Sequence, residues 1–355
     1  MVIMYRNLRS VDNNNERLSQ EIQESTIQRK KYILFALRIT RGIYEDSMVD
    51  MKLIFLGTSA AAPTAERGLS SVVIKRGNEL LLFDAGEGMQ RNFIRAGLGM
   101  NKRMKIFITH MHADHCVGLL GLLQTMSLQG RVMAVDIYGQ GKLAEFVTEN
   151  MRIVNFGLLF DINMHMIDCE GVVVKEKDYQ ITCCESMHLV PSFSYCLTEF
   201  DRPGIFNISE AKRFHIPESE LYSKLQHGQD IIYEGELIRS SQMTGPARAG
   251  RKIGISGDTR PTLKLRDFFK NCDLLIYEST YGHDKYQKAV KNFHSTATEA
   301  AMLARESEVK KLFLTHFSTR YEETSGLINE ARAIHENVEA AEDLKVVDIP
   351  YGESE

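Results

Sequence analysis

The sequence predicts a layered α/β protein with β-sheets inside and helices outside. From residue 51 onward, short β-rich runs come first, and strands and helices then alternate in both halves of the chain. The 355 residues are 43% hydrophobic and 25% charged, which is enough to bury a full core. The 43 Lys and Arg against 47 Asp and Glu give a formal net charge of −4. This balance excludes a uniformly basic nucleic-acid coat but allows a local basic patch.

Strands and helices can be placed from hydrophobic periodicity and turn signals. The runs that predict strands are 52–56, 71–75, 79–83, 104–109, 132–138, 172–175, 180–184, 194–198, 252–256, 274–278 and 311–315. The segments that predict helices are 89–96, 117–128, 141–149, 296–307 and 321–338. The Gly77-Asn78 pair is typical of a tight hairpin, and Thr296 with Glu299 fits a capping box.

The chain divides into an N-terminal extension, residues 1–50, and a main folded domain, residues 51–355. The extension is polar, with weak helical periodicity, and it is either a regulatory segment, with or without fixed structure, or the product of a non-native upstream start. Residues 200–250 interrupt the domain as a polar insertion that contains three prolines and helical patterns at 209–214 and 219–225.

Targeting signals and cysteine spacing favour a cytoplasmic protein. No apolar run approaches the ~20 residues of a membrane span, and the N-terminus lacks the features of a signal peptide. The cysteines show no metal-ribbon spacing, so we expect reduced thiols. They are Cys116, Cys169, Cys183, Cys184, Cys196 and Cys272.

A cluster of metal-ligand side chains follows the predicted strand 104–109. His110 and His112 are two residues apart at a strand end, so their imidazoles point the same way. Asp114 and His115 follow in the turn into the next helix. Together these side chains exceed what one tetrahedral zinc accepts while leaving a place for water, which predicts two metals.

Further candidate ligands stand just past other predicted strands. His188 follows strand 180–184, Asp258 follows strand 252–256, and His316 follows strand 311–315. A sheet core presents its chemistry at such strand ends. His294 precedes the capped helix and need not be a ligand. The other histidines have no patterned partners and are interpreted as surface or packing residues; they are His165, His215, His227, His283 and His335.

The segments resemble the metallo-β-lactamase superfamily and, within it, the tRNase Z family of tRNA 3′-processing endoribonucleases. The resemblance covers residues 51 to about 349. Besides the histidine cluster, the motifs that carry it are Phe55-Leu56-Gly57-Thr58-Ser59, Phe83-Asp84-Ala85-Gly86-Glu87-Gly88, Ser256-Gly257-Asp258-Thr259-Arg260, Tyr277-Glu278-Ser279-Thr280, His294-Ser295-Thr296 and His316-Phe317-Ser318-Thr319-Arg320-Tyr321. It implies an αββα four-layer sandwich with an inserted flexible arm, residues 200–250.

The resemblance also implies two zinc ions per subunit. By position, one zinc would be held by His110, His112 and His188, and the other by Asp114, His115 and His316. Asp258 would bridge them.

The family's chemistry is the removal of the 3′ trailer from precursor tRNA, which leaves a 3′-hydroxyl on the tRNA. Asp114 corresponds to the candidate general base, His294 to the general acid and Glu278 to the group that holds its imidazolium. Arg320 with Ser318 would grip a phosphate near the cut.

Substrate recognition is implied at the arm. Arg202 and Lys224 are among the cations that would contact the phosphates of the tRNA elbow. The resemblance implies a homodimer in which the arm of one subunit holds the tRNA cut by the other.

Three alternatives compete with this function. A small-molecule phosphodiesterase or other hydrolase of the same fold would have no use for the insertion. A non-catalytic nucleic-acid-binding relative would not retain every ligand position. A member of the mRNA-processing branch would carry a large domain before the last histidine, and the spacing from Asp258 to His316 is too short for one.

Overall fold

The computed structural model describes residues 49–352 and contains two compact units. The core unit comprises residues 49–202 and 248–352, and the arm unit comprises residues 203–247. The interpretation of residues 1–50 as an extension therefore falls, apart from its last two residues, outside the described part of the chain. Within that part, no helix has both the length and the apolar character that a membrane crossing requires.

Strands and helices alternate through most of the described chain. The strands are β1 (Met51–Gly57), β2 (Ser59–Ala60), β3 (Ser71–Arg76), β4 (Glu79–Phe83), β5 (Arg103–Phe107), β6 (Val135–Gly139), β7 (Ile162–Met166), β8 (Gly171–Lys175), β9 (Tyr179–Glu185), β10 (Phe193–Glu199), β11 (Ile231–Tyr233), β12 (Glu236–Ile238), β13 (Lys252–Ile255), β14 (Leu274–Glu278), β15 (Leu312–Thr315), β16 (Phe317–Ser318), β17 (Val338–Ala340) and β18 (Val346–Asp348). The helices are α1 (Met89–Arg95), α2 (Ala113–Cys116), α3 (Gly118–Leu128), α4 (Gly141–Ile153), α5 (Ile208–Arg213), α6 (Glu220–Gln226), α7 (Ser240–Met243), α8 (Leu263–Phe268), α9 (Tyr286–Asn292), α10 (Ala297–Glu306) and α11 (Ser325–Arg332).

Within residues 49–352, two seven-stranded sheets form the centre of the core unit. The strand order is β18-β1-β3-β4-β5-β6-β7 in one and β17-β15-β14-β13-β10-β9-β8 in the other. One apolar cluster, with Phe55, Phe107 and Tyr195 at its centre, fills the space between them. A second packs α1, α3 and α4 on the first sheet, and a third packs α8, α10 and α11 on the second. The αββα sandwich is therefore confirmed.

The direction of the strands places the candidate site residues at one edge of each sheet. In the first sheet β4, β5, β6 and β7 run parallel, and in the second β13, β14, β15 and β17 do so. The carboxyl ends of parallel strands meet at the same edge of a sheet, and loops that leave them can converge. The β5, β13, β14 and β15 ends carry candidate site residues.

A buried ion cluster at the C-terminal ends of β3 and β10 also joins the two sheets. The Glu199 carboxylate accepts from Arg76 Nε at 2.9 Å and from Arg251 Nε at 2.7 Å. Arg251 additionally donates to the carbonyls of Ile349 and Val49. Arg76 lies on β3 and Glu199 on β10, so the cluster connects the sheets, and each buried charge has a partner.

Local signals located most elements to within a few residues. The hairpin at Gly77-Asn78 joins β3 to β4, and the capping box at Thr296 and Glu299 starts α10, as predicted. The predicted helix 321–338 is wrong over much of its length, because α11 ends at Arg332 and Val338 begins β17 beside Leu312. Sheet pairing at the edge overrides the helical periodicity there.

Other elements have no sequence signal strong enough to find. Edge strand β7 mixes polar and apolar residues and is half exposed, so its alternation is weak. Strands β2, β16 and β18 are two or three residues long, and helices α8 and α9 are too short for a clear helical period.

The arm unit has an apolar cluster of its own. Helices α5, α6 and α7 pack with the β11-β12 hairpin around Tyr222, Leu225 and Met243. Both predicted helical patterns in this segment correspond to helices, α5 and α6. In the core unit, the residues that flank the insertion, Arg202 and Arg248, exchange backbone hydrogen bonds of 2.8 and 2.9 Å.

Candidate metal centre

The candidate ligands converge from several strand ends of the core unit. His110 and His112 follow β5, Asp258 follows β13 and His316 follows β15. The turn before Asp258 requires a glycine: Gly257 has φ 57°, and a Cβ there would lie 2.9 Å from the Thr109 side chain. The two sheets can therefore approach closely enough for their loops to share one site.

The first group of ligand atoms is His110, His112, His188 and Asp258, all within 4.8 Å of one another. His112 Nδ1 lies 3.0 Å from His110 Nε2 and 3.1 Å from His188 Nε2. Ring nitrogens from three residues thus point at one small volume, which is the geometry that a bound cation requires.

The second group is Asp114, His115 and His316. The Nε2 atoms of His115 and His316 are 3.3 Å apart. Asp114 Oδ2 lies 3.6 Å from the first of these nitrogens and 3.5 Å from the second.

Asp258 stands between the two groups. Its Oδ2 is 3.7 Å from His110 Nε2 and 3.4 Å from His115 Nε2, and its Oδ1 is 3.3 Å from His316 Nε2. The residue is buried, and within the described residues Oδ1 accepts no hydrogen bond. An orphaned buried carboxylate oxygen needs a cation or another partner.

Outer partners fix the orientation of the imidazoles. His115 Nδ1 donates to Asp84 Oδ2 at 2.7 Å, and His188 Nδ1 donates to the Phe293 carbonyl at 3.0 Å. Since these acceptors hold the proton on Nδ1, the Nε2 lone pairs point into the site. Hydroxyls lie beside Nδ1 of two further rings: the Thr109 hydroxyl is 3.0 Å from His110 Nδ1, and the Thr280 hydroxyl is 2.9 Å from His316 Nδ1.

The hydrogen-bond partners of these imidazoles have no role that the sequence predicts. Asp84 lies after β4, in a loop recognised only as part of a motif, and it also accepts from the backbone and side chain of Thr109. Asp84 directly follows a buried strand, as the candidate ligands do, and this position is the signal that could have identified it as a site residue. The Phe293 carbonyl leaves no trace in sequence, because any residue has one.

The electrostatics favour bound cations. Burial lowers the pKa of His110, His112 and His188, which keeps these rings in the neutral form that binds metals. Burial opposes ionisation of Asp114, but its hydrogen bond to His316 and its closeness to His115 hold its pKa below the ordinary range. Imidazole nitrogens beside carboxylate oxygens are donors that fit divalent metal ions.

His294 pairs with Glu278 at the border of this centre, and its ring also lies within ligand distance of Asp258 and His316. Its Nδ1 lies 2.9 Å from Glu278 Oε1, and the Glu278 carboxyl also accepts from Thr259 N and from the Thr280 hydroxyl. Burial would lower the pKa of His294, but the Glu278 carboxylate outweighs it and raises the pKa to about 9. His294 Nδ1 is also 3.8 Å from Asp258 Oδ2. Because that nitrogen is engaged by Glu278, the arrangement suits a proton donor better than a ligand.

The residues expected to bind substrate are placed in different parts of the molecule. Arg320 is exposed, its Nε donates to Ser318 Oγ at 2.8 Å, and its guanidinium lies 5.2 Å from the centre of the Tyr281 ring. That ring is 6.1 Å from the His294 ring, so Arg320 lies near the centre. Lys224 is exposed on α6 of the arm unit. Arg202 belongs to the core unit, where its guanidinium stacks 3.5 Å from the Tyr351 ring.

Comparison with known proteins agrees with the fold and identifies the family. Residues 51–202, less than half of the chain, match the family model described as Anti-Pycsar protein Apyc1. The metallo-β-lactamase fold protein YhfI from Bacillus subtilis superposes with a TM-score of 0.59 over 84% of this chain and 99% of its own, at 18% identity, which shows the fold. The architecture therefore defines a protein of the metallo-β-lactamase fold.

Two closer relatives narrow the class. Ribonuclease Z of Nitrosopumilus maritimus is 48% identical over 299 residues, which span 84% of this chain and 100% of that protein. The structure of human tRNase Z, short form, has a TM-score of 0.62 and 29% identity over 84% of this chain and 100% of its own. The chain belongs to the ribonuclease Z family.

The position of Asp258 predicts the result of removing its charge. Since Asp258 lies between both ligand groups, Asp258→Asn should lower the metal content of the purified protein from close to two ions per chain to one or fewer. Metal analysis by mass spectrometry measures this. Asp284→Asn, at an exposed aspartate, should keep the wild-type content. Full occupancy in the Asp258 variant would refute its place between two ions.

Proposed function

We propose that this chain is a zinc-dependent endoribonuclease that removes the 3′ trailer from precursor tRNA. The products are a tRNA with a 3′-hydroxyl and a trailer with a 5′-phosphate. The observation that carries the proposal is the 48% identity over the whole length of a ribonuclease Z. The His294–Glu278 pair beside the ligand cluster supports it, since an RNA 3′-oxygen is a poor leaving group and needs a proton.

In this proposal the ligand cluster binds two zinc ions. His110, His112 and His188 would hold one ion, and Asp114, His115 and His316 the other, with Asp258 shared. When bound, such ions lower the pKa of a water and offset the charge that develops on the phosphate oxygens.

Side chains of the protein would transfer the protons and bind the phosphate next to the cut. The Asp114 carboxylate is the proposed general base, and it is positioned by the Ala61 amide, which donates to Oδ2 at 2.8 Å. His294 would give its proton to the departing 3′-oxygen, and Glu278 would keep the ring protonated and oriented. Arg320, braced by Ser318, would contact a phosphate next to the cut.

The arm unit is the proposed tRNA-binding element. Lys212, Arg213 and Lys224 are exposed on α5 and α6, where they can contact phosphates. Arg202 stands where the core chain enters the insertion. A small diester offers no row of phosphates for several cations to contact, which favours tRNA as the substrate.

Two further features belong to the proposal. A homodimer is supported by large apolar side chains that are exposed near one another: Leu128 is 82% and Leu159 71% exposed, and Ser127 Oγ accepts from the Leu159 amide. A cytoplasmic location is supported by the cysteines, all of which lie in the described range as free thiols.

Mapping both product ends of a cleaved 3′-extended precursor tRNA tests the function directly. We expect one cut at the 3′ side of the acceptor stem, with a 3′-hydroxyl on the tRNA and a 5′-phosphate on the trailer. A mature tRNA of the same sequence without an extension controls for general nuclease activity. Hydrolysis of a chromogenic phosphodiester without any cleavage of the precursor would instead favour a small-molecule phosphodiesterase.

Removal of the proton donor should slow the reaction without emptying the centre. His294→Ala should lower the rate of precursor cleavage by roughly 10²–10⁴, the usual effect of losing a positioned acid. Metal content should stay at the wild-type value. His283→Ala, at an exposed histidine, is the matched control. Loss of metal in the His294 variant would identify this residue as a ligand.

The arm can be tested by replacing residues 203–247 with a short Gly-Ser linker. The backbone pairing of Arg202 with Arg248 keeps the two cut ends adjacent in the core unit. We expect KM for precursor tRNA to rise by about tenfold or more, because phosphate contacts contribute mainly to binding. The rate on a chromogenic phosphodiester should change little.

Point variants separate charge from folding in the same experiment. Neutralising Lys212, Arg213 and Lys224 together to Gln should raise KM and weaken its dependence on salt, whereas Glu218→Gln should not. Precursor cleavage that survives arm removal with an unchanged KM would contradict the binding role.

A further inference from the structure

We infer that Arg260 is a positioning residue that holds the proton donor His294 in its reactive place. The inference rests on the proposed function, in which His294 protonates the departing 3′-oxygen. Arg260 lies two residues past Asp258 and is largely buried, with its side chain 11% exposed.

The Arg260 guanidinium binds the backbone of His294 directly. Its Nη1 donates to the His294 carbonyl at 2.6 Å and to Glu299 Oε2 at 2.8 Å, while Nη2 donates to Glu299 Oε1. Both terminal nitrogens of the guanidinium therefore donate hydrogen bonds, which fixes the plane of the group.

Glu299 makes this contact rigid. The same carboxylate accepts from the backbone and the hydroxyl of Thr296, the N-cap of α10. Arg260 thus connects the His294 carbonyl to the start of a capped helix. His294 lies in the short link between α9 and α10, directly after Phe293, whose backbone is left-handed with φ 58°. A link of this kind needs external contacts to hold one conformation.

The segment Asp258–Arg260 connects the metal centre to the acid at several points. The Thr259 amide donates to Glu278, and the Thr259 carbonyl accepts from the Ser295 hydroxyl at 2.6 Å. Arg260 N also donates to the Met187 carbonyl, next to His188. Consecutive residues therefore place the shared ligand, the partner of the acid and the backbone of the acid.

This geometry predicts an effect on proton donation in particular. A shift of the His294 ring by a fraction of an ångström would lengthen its hydrogen bond to the leaving oxygen, and misplacement by about 1 Å can cost about 10²-fold in rate. A lysine at position 260 could reach one acceptor but could not serve both in a plane.

Two substrates that differ in their leaving group test the inference. Precursor tRNA loses an alkoxide that must be protonated, whereas bis(p-nitrophenyl) phosphate loses an aryloxide that departs as the anion. For Arg260→Lys and Arg260→Ala we expect the loss of kcat on precursor tRNA to exceed the loss on the aryl diester by about tenfold or more. KM for the precursor and metal content should stay close to wild type, and the Lys variant should lose less than the Ala variant.

A double-mutant cycle separates positioning from folding. In a His294→Ala background, Arg260→Ala should cost little further precursor cleavage, because the group it positions is gone. Arg266→Ala, which removes a guanidinium paired with Asp267 on the surface, is the control for a nearby arginine. Thermal unfolding of each variant shows whether it is folded, and the Lys variant provides the test if the Ala variant is not.

Each outcome decides one question. Equal losses on both substrates, or full additivity with His294→Ala, would overturn the positioning role while the proposed function stands. If His294→Ala itself shows no preference for the leaving group, the acid assignment fails and the inference fails with it. Absence of precursor cleavage by the wild-type protein would overturn both the function and the inference.

Discussion

The crowding of ring nitrogens and carboxylates around Asp258 is the constraint on which the rest of the core depends. Nitrogens such as His112 Nδ1 and His110 Nε2 lie 3.0 Å apart, and Asp258 is buried between two such groups. An arrangement like this is costly unless cations occupy it, because buried lone pairs and charges lack compensation. The surrounding fold must therefore hold several loops in place around one small volume.

The loops that carry the candidate ligands are held in place because their backbones pack directly against one another. Gly257 turns in the left-handed region against Thr109. On the other side, a Cβ on Gly118 would lie 2.0 Å from the Gly86 carbonyl, so the loop after β4 packs directly on the turn that carries His115. Asp84, from that loop, then reaches His115. Small residues at these points allow the ligand loops of the two sheets to share one small volume.

Chemistry and proposed recognition are assigned to different units. Among the described residues, every candidate ligand belongs to the core unit, whereas the arm unit has its own apolar cluster and exposed cations. Contacts to backbone phosphates supply a large share of the affinity of a protein for a nucleic acid. A division of this kind lets binding vary without disturbing the geometry of the centre. Within the core, the segment that supplies Asp258 also makes hydrogen bonds to Glu278 and Ser295, which hold the His294–Glu278 pair in place.

The sequence by itself determined the elements whose signals are local. The Gly77-Asn78 hairpin, the Thr296–Glu299 cap and the buried strands are encoded within a few neighbouring residues, and ligand-type side chains directly after those strands marked the edge that carries the site. Tertiary structure alone decided the contacts that orient these side chains. The Phe293 carbonyl and His188 are 105 positions apart, and Asp84 and His115 are 31 apart. It also decided that Val338 joins a sheet, since a strand at an edge gains its hydrogen bonds from a neighbour and not from its own residues. Strands, turns and caps can be predicted because their signals lie in neighbouring residues. The orientation of the candidate ligand side chains depends on hydrogen-bond partners that are distant in sequence and meet only when the chain folds.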